Sequence, residues 1–253
     1  MRRIIVAMPD LATFSLADVV RSSSELRVSS AGAASMEEAA ARVVDRLYET
    51  MLDGATGESA IALIRLFKTH PYGALEPQQR AFADRLLGEH VPEPAMRCLT
   101  LLATRGQEPE WNDRHSSRGH AAIPLPSETI VQNAPMIAQL IAQLGVDISA
   151  LLRPEPDVIV DLAQKTYNVF HVAEAKGSPY IPAQDDFVIP FGIRSVLGFG
   201  GMLPSGNLFA TIMFTKTAVP RETADLFANV ALAVKLAILP FDGGATFAGT
   251  AEA

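Results

Sequence analysis

Thiols are nearly missing from this chain: its 253 residues hold one cysteine, Cys98, and one tryptophan, Trp111. A lone cysteine forms no intramolecular disulfide, no Cys-x-x-Cys redox pair and no all-cysteine zinc or iron–sulfur site. Basic residues are in deficit too, 21 Lys and Arg against 28 Asp and Glu, for a formal net charge of −7. Phosphate backbones are gripped by basic faces, so nucleic acid is excluded as a partner. Charged residues make up only 19% of the chain and hydrophobic ones 49%, which excludes a disordered regulator. Long apolar runs are lacking as well. Val188–Met202 is broken by Pro190, Arg194 and four glycines, and Ala228–Phe241 by Asn229 and Lys235. Neither supplies the ~20 residues of a spanning helix. Met1–Val6 carries two arginines, but Pro9-Asp10 ends its apolar run before a signal-peptide core. These absences lead to the expectation of a soluble, cytoplasmic protein with no membrane partner.

What is present is enough chain to bury a full core. The first 35 residues read as an N-terminal arm or linker, because Ser22–Ser24 and Ser29–Ser35 are small and polar; Leu11–Val20 is read as a short helix or an extended arm. Residues 36–241 read as one domain and 242–253, rich in Gly, Ala and Thr, as a flexible tail.

Helical spacing begins at Met36, with Ser35 as N-cap, acidic residues in the first turn and Gly54 as the stop. Ser59–Phe67 predicts a strand buried on most of both faces, followed by a helix over Glu76–Leu87. Further strands are expected at Met96–Ala103, Ala121–Leu125 and Tyr167–Val172, and helices at Ser127–Leu144, re-entered at Pro135, and Asp157–Lys165. The charged stretch Thr104–Gly119 reads as a loop outside the core. Arg194–Leu203 and Leu208–Thr215 flank Pro204-Ser205-Gly206-Asn207, which predicts a β-hairpin, and a helix starts at Pro220 and runs to Leu239. The predicted class is α+β, a central, mostly antiparallel sheet flanked by helices, with extended loop insertions.

The C-terminal third resembles the end of a GAF domain. The residues that carry the resemblance are Ile193-Arg194-Ser195-Val196-Leu197-Gly198, then Leu208–Phe214, then the helix from Pro220 to Leu239. The resemblance implies a GAF/PAS-like sheet and a sensory or regulatory module of bacterial signal transduction. Members of that family bind small ligands or serve as dimerisation units. No cysteine lies where bilin-binding members attach their chromophore, and the NKFDE-type motif of cyclic-nucleotide binders is not readable, so both ligands are disfavoured. No kinase, P-loop or cyclase motif is present, so an output function would belong to another chain or to a region outside these residues.

Chemistry-bearing residues are few. His115 and His120 stand five apart in a Gly-containing loop, a spacing that aims two imidazoles at one metal neither from a helix nor from a strand. No metal site is expected. Cys98 lies in an apolar run and reads as a small buried hydrophobe. Gly198, Gly200 and Gly201 lie inside a strand without a following helix, which fits close backbone approach better than a phosphate loop. Trp111-Asn112-Asp113-Arg114 reads equally as a lid whose arginine grips an anion or as an anchored loop. Arg194 opens an apolar strand and is expected to pair with Asp185 or Asp186. The candidate ligand-binding residues are Trp111, His120, His171, Tyr180, Phe187 and Arg194. His171, in an apolar strand, is also the candidate axial ligand if haem is bound. The leading expectation is a ligand-binding regulatory module, a homodimer through the helices 36–52 and 223–239. The alternatives are an enzyme with a cavity around His171, Tyr180 and Arg194, a haem gas sensor, and a scaffold that only dimerises.

Overall fold

A computed structural model describes residues 9–116, 119–153 and 161–249. Six strands form one sheet: β1 (Ile61–Pro71), β2 (Arg97–Gly106), β3 (Ala122–Pro124), β4 (Phe170–Val172), β5 (Ser195–Met202) and β6 (Leu208–Thr215). Their order is β3-β2-β1-β6-β5-β4 and every neighbouring pair is antiparallel. The α+β class and the sheet between helical layers are as the sequence implies.

One face of the sheet is covered by α1 (Leu16–Ser29), α2 (Met36–Thr50) and the C-terminal helices α7 (Arg221–Asp225) and α8 (Phe227–Ile238). Met36, Ala39, Ala40, Val43, Val44 and Leu47 recur at three- and four-residue spacing, so one face of α2 buries against the sheet. Ser35 caps α2 through the Glu38 amide, as expected, but the helix ends at Thr50 rather than Gly54. Gly54 instead sits against Asp10, whose side chain a Cβ there would strike.

The opposite face carries α4 (Glu128–Gln132), α5 (Pro135–Leu144), α6 (Ile148–Leu152) and the loop that follows β4. The helix expected over Ser127–Leu144 is broken at Asn133-Ala134 and re-entered at Pro135, as its sequence implies. Residues 161–164 are helical; the rest of the helix expected at Asp157–Lys165 lies largely outside the described residues. α3 (Pro77–Leu87) packs beside β3 and stops at Gly88, whose φ of 59° suits glycine.

Three segments differ from expectation. Ser22–Ser24 is no linker: it lies inside α1, where a Ser15/Asp18 capping box starts the helix and Val19 and Leu26 join the core. In the tail, Met36 and Glu37 donate backbone hydrogen bonds to Ala245 and Thr246, and Phe247 is buried. The apolar stretch thought too short to span a bilayer belongs to a helical run, Arg221–Phe241, of 21 residues and mean hydropathy 1.7. That run meets the length and composition of a spanning helix, yet it is packed: Phe227, Val230, Val234 and Ile238 bury against the sheet and Phe14 stacks on Phe227 at 5.1 Å.

Candidate functional site

In β1, Leu63, Arg65 and Phe67 alternate with Ile64 and Leu66, so an arginine shares the loop-covered face with two apolar side chains. Opposite them stand Met136, Ile137 and Leu140 of α5. Between these walls lies a cavity of about 630 Å³, within the range of small-molecule sites. Leu140 reaches the sheet because Gly198 lies beneath it: a Cβ at Gly198 would stand 2.8 Å from the Leu140 Cδ1.

Aromatic rings close one side. Trp111 packs on Phe187 at 5.6 Å and on Phe191 at 4.6 Å, and Phe187 meets Phe214 of β6 edge-on at 4.9 Å. Phe187 is presented by a π-turn, Gln184–Val188, in which the Ile189 amide reaches back to the Gln184 carbonyl. Such widened turns recur at functional sites. The indole of Trp111 lies on the strand end because Gly106 has no side chain; a Cβ there would be 2.6 Å from its Cε3.

Among the described residues, charged and ionisable side chains line the cavity at one place. The Arg65 Nη1 donates to His120 Nδ1 at 3.2 Å, which makes that nitrogen the acceptor and Nε2 the protonated one. Burial lowers the Arg65 guanidinium to about 10 and, with the neighbouring Arg65 charge, holds the His120 imidazole at about 4. At neutral pH the pair is therefore one cation and one neutral ring. His120 lines the cavity at its rim and is itself exposed. Its backbone has φ +66°, the one left-handed non-glycine residue among those described. That conformation costs about 1 kcal/mol or more and aims the ring at Arg65.

Trp111, His120 and Phe187 thus come together at one cavity. His171, Tyr180 and Arg194 do not join them. His171 and Tyr180 border an open hollow with Glu174 and Lys176, and Arg194 lines a neighbouring one with Ile189 and Gly192. The His171 Nε2 donates to the Val219 carbonyl at 2.9 Å and its amide to Gln143, so the residue ties β4 to the chain ahead of α7 and to α5. The shallow hollow beside it does not fit a haem. Arg194 is exposed, and among the described residues no ion pair joins it to Asp185 or Asp186.

The Arg114 guanidinium is engaged within the protein. It is buried and forks onto two carboxylates, Nη2 to Glu37 Oε2 at 2.8 Å and Nη1 to Glu76 Oε2 at 2.7 Å. The loop is anchored rather than hinged. Cys98 is buried, and burial pushes its thiol up to about 12. Arg65 escaped the sequence reading; its signal was a single charge in the run Ser59–Phe67, otherwise nearly free of polar groups.

Solved structures with a similar course include the GAF domain of an Acinetobacter phosphoenolpyruvate-protein phosphotransferase, 10% identical, covering 90% of this chain and 97% of that one at a TM-score of 0.46. The GAF domain of the Coxiella burnetii phosphoenolpyruvate-protein phosphotransferase is 13% identical, with 89% and 94% covered at a TM-score of 0.42. At these scores the likeness is one of general course, and no ligand or role passes to this chain through it. No protein-family model matches the chain, and no curated protein does.

Proposed function

We infer that this chain is a non-catalytic sensory or regulatory module, GAF-like and cytoplasmic, that holds a small, largely apolar molecule in the Trp111 cavity. The observation that carries this reading is the cavity itself, about 630 Å³ walled by aliphatic and aromatic side chains. Occupancy would act by shifting the population between arrangements of the helical layer. A physical route exists: the Trp111 loop is joined through Arg114 to Glu37 in the first turn of α2.

The reading includes a homodimer, with one revision of the seam. The outer face of α2 carries Arg42, Asp45, Arg46 and Glu49, so its apolar stripe is spent on the sheet. Leu16 and Val20 of α1 and Leu232 and Leu236 of α8 are exposed, and these two adjoining helices form the better seam for a second copy.

Native mass spectrometry of freshly purified protein tests both parts. The expected result is a dimer with co-purified mass of a few hundred daltons, released on unfolding. A ligand-free monomer whose Trp111 emission is unmoved by any small apolar compound would overturn the reading.

A further inference from the structure

The segment that follows α8 is held by the rest of the fold as a bound peptide is held by its receptor. We propose that residues 245–248 form a detachable latch. Docked, the latch completes the first turn of α2 and backs the Arg114 guanidinium; released, it frees both while the sheet and its helical layers stay folded.

An α-helix leaves its first amides without partners inside the helix. In α2 the Glu38 amide donates to the Ser35 hydroxyl, and those of Met36 and Glu37 donate to the carbonyls of Ala245 and Thr246, each at 2.9 Å. In return the Ala248 amide donates to Glu37 Oε2 at 2.8 Å. Between these backbone ties the latch inserts one ring. Phe247 is 3% exposed, meets the His70 ring edge-on at 5.2 Å and has the Arg114 guanidinium 5.1 Å from its centre. Thr246 accepts from the buried Lys68 ammonium at 3.4 Å.

Two features let the segment leave without unfolding the rest. It hangs on Gly243-Gly244, both exposed; Gly243 has a φ of 87°, and a side chain there would meet nothing within 4 Å. Such a pair is a hinge, since glycine turns through φ values closed to other residues. The socket also presents four ionisable side chains, Glu37, Lys68, His70 and Arg114. When the segment leaves, water can take up these groups, and Lys68 regains the hydration it gives up beneath Thr246. An opening that exposes few apolar contacts lies below global unfolding in free energy.

Amide hydrogen exchange of the full-length protein, read residue by residue by NMR at low urea, tests the latch. The Met36 and Glu37 amides are expected to exchange at least tenfold faster than those of Val43 and Val44 within α2, with a much shallower dependence on urea. Fraying of the helix end alone would also do this, so Phe247→Ala separates the two: it should speed the Met36 and Glu37 amides at least tenfold more. Acrylamide quenching of Trp111, three residues before Arg114, should rise in the same variant. A tethered segment competes at an effective concentration of about millimolar, so the capped peptide of residues 244–249 is added at about that level or above. It should slow the Met36 and Glu37 amides of Phe247→Ala, whereas the peptide with Ala in place of Phe should not. Circular dichroism shows whether the variant is folded; if it is not, Phe247→Leu takes its place. Wild-type exchange at Met36 and Glu37 that matches Val43 and Val44 in rate and urea slope overturns the latch, because the segment then leaves only with global unfolding. Met36 and Glu37 amides that ignore the substitution or the peptide overturn it as well, and unchanged Trp111 quenching overturns the link to Arg114.

Discussion

Replacing Arg114 with methionine is expected to destabilise the fold far more than loss of a loop residue should. The side chain is 6% exposed, and its partners Glu37 and Glu76 are 14% and 20% exposed. Breaking a fully buried pair by removing one partner costs about 3–5 kcal/mol, and an exposed pair contributes about 0–1 kcal/mol. These partners still touch water, so the expected loss is about 2–3 kcal/mol, including the Phe247 ring stacked 5.1 Å from the guanidinium. For a chain of this size that lowers Tm by about 5–10 °C. Urea unfolding followed by circular dichroism measures it, with Glu37→Gln and the double variant completing a cycle. The coupling should reach about 1 kcal/mol or more, since all three groups share one network. A loss below about 0.5 kcal/mol, or strict additivity of the two substitutions, would refute the claim that this ion cluster anchors the loop.

Gly106→Ala should shift Trp111 emission to the red and cost about 1–3 kcal/mol, because the new methyl meets both the indole and the Ala62 carbonyl; unchanged emission would contradict the packing. Leu140→Ala removes a buried side chain that rests on the sheet and should cost about 2–4 kcal/mol in chemical denaturation, near the lower end if the cavity collapses. His70 is held by burial at about 4, below its ordinary 6.5, so the unfolded chain takes up the proton first and stability falls as pH drops from about 6.5 to 4. His70→Leu should flatten that slope in a pH series of Tm, with an unchanged slope as the contrary result. The Cys98 thiol should resist a disulfide reagent in the native protein and react at once in urea; rapid native labelling would show that it is not buried.

Strands with dense apolar runs and strong turn punctuation were legible in the sequence. The β5–β6 hairpin spans Ser195–Met202 and Leu208–Thr215 around Gly206, nearly the bounds that two β-rich runs around Pro-Ser-Gly-Asn imply. The N-terminal helix was legible only in its first turns, within Leu11–Val20, because the three consecutive serines that follow suit a linker in isolation and join the helix where Val19 and Leu26 find a tertiary surface. Half of the site was visible for a similar reason. Trp111, His120 and Phe187 stand out locally as large or ionisable side chains in loops, whereas what unites them is the strand face carrying Arg65 and the glycine that seats the indole. His171 stands out in the sequence as a histidine among apolar neighbours, but its ring satisfies a backbone carbonyl. Only the fold distinguishes those two uses of one residue type.

The carboxylate of Glu37 serves two masters. It accepts from the Arg114 guanidinium, which fixes the loop of the cavity's indole, and Oε2 also accepts from the amide of Ala248. The segment at Ala245–Ala248 and the cavity wall therefore share one carboxylate among their anchors. A tug on that segment loosens the same oxygen that steadies Arg114, and a displaced Arg114 leaves the segment with a weaker grip. Force and occupancy meet at one side chain, which makes Glu37→Gln a way to cut the cord without touching the cavity itself.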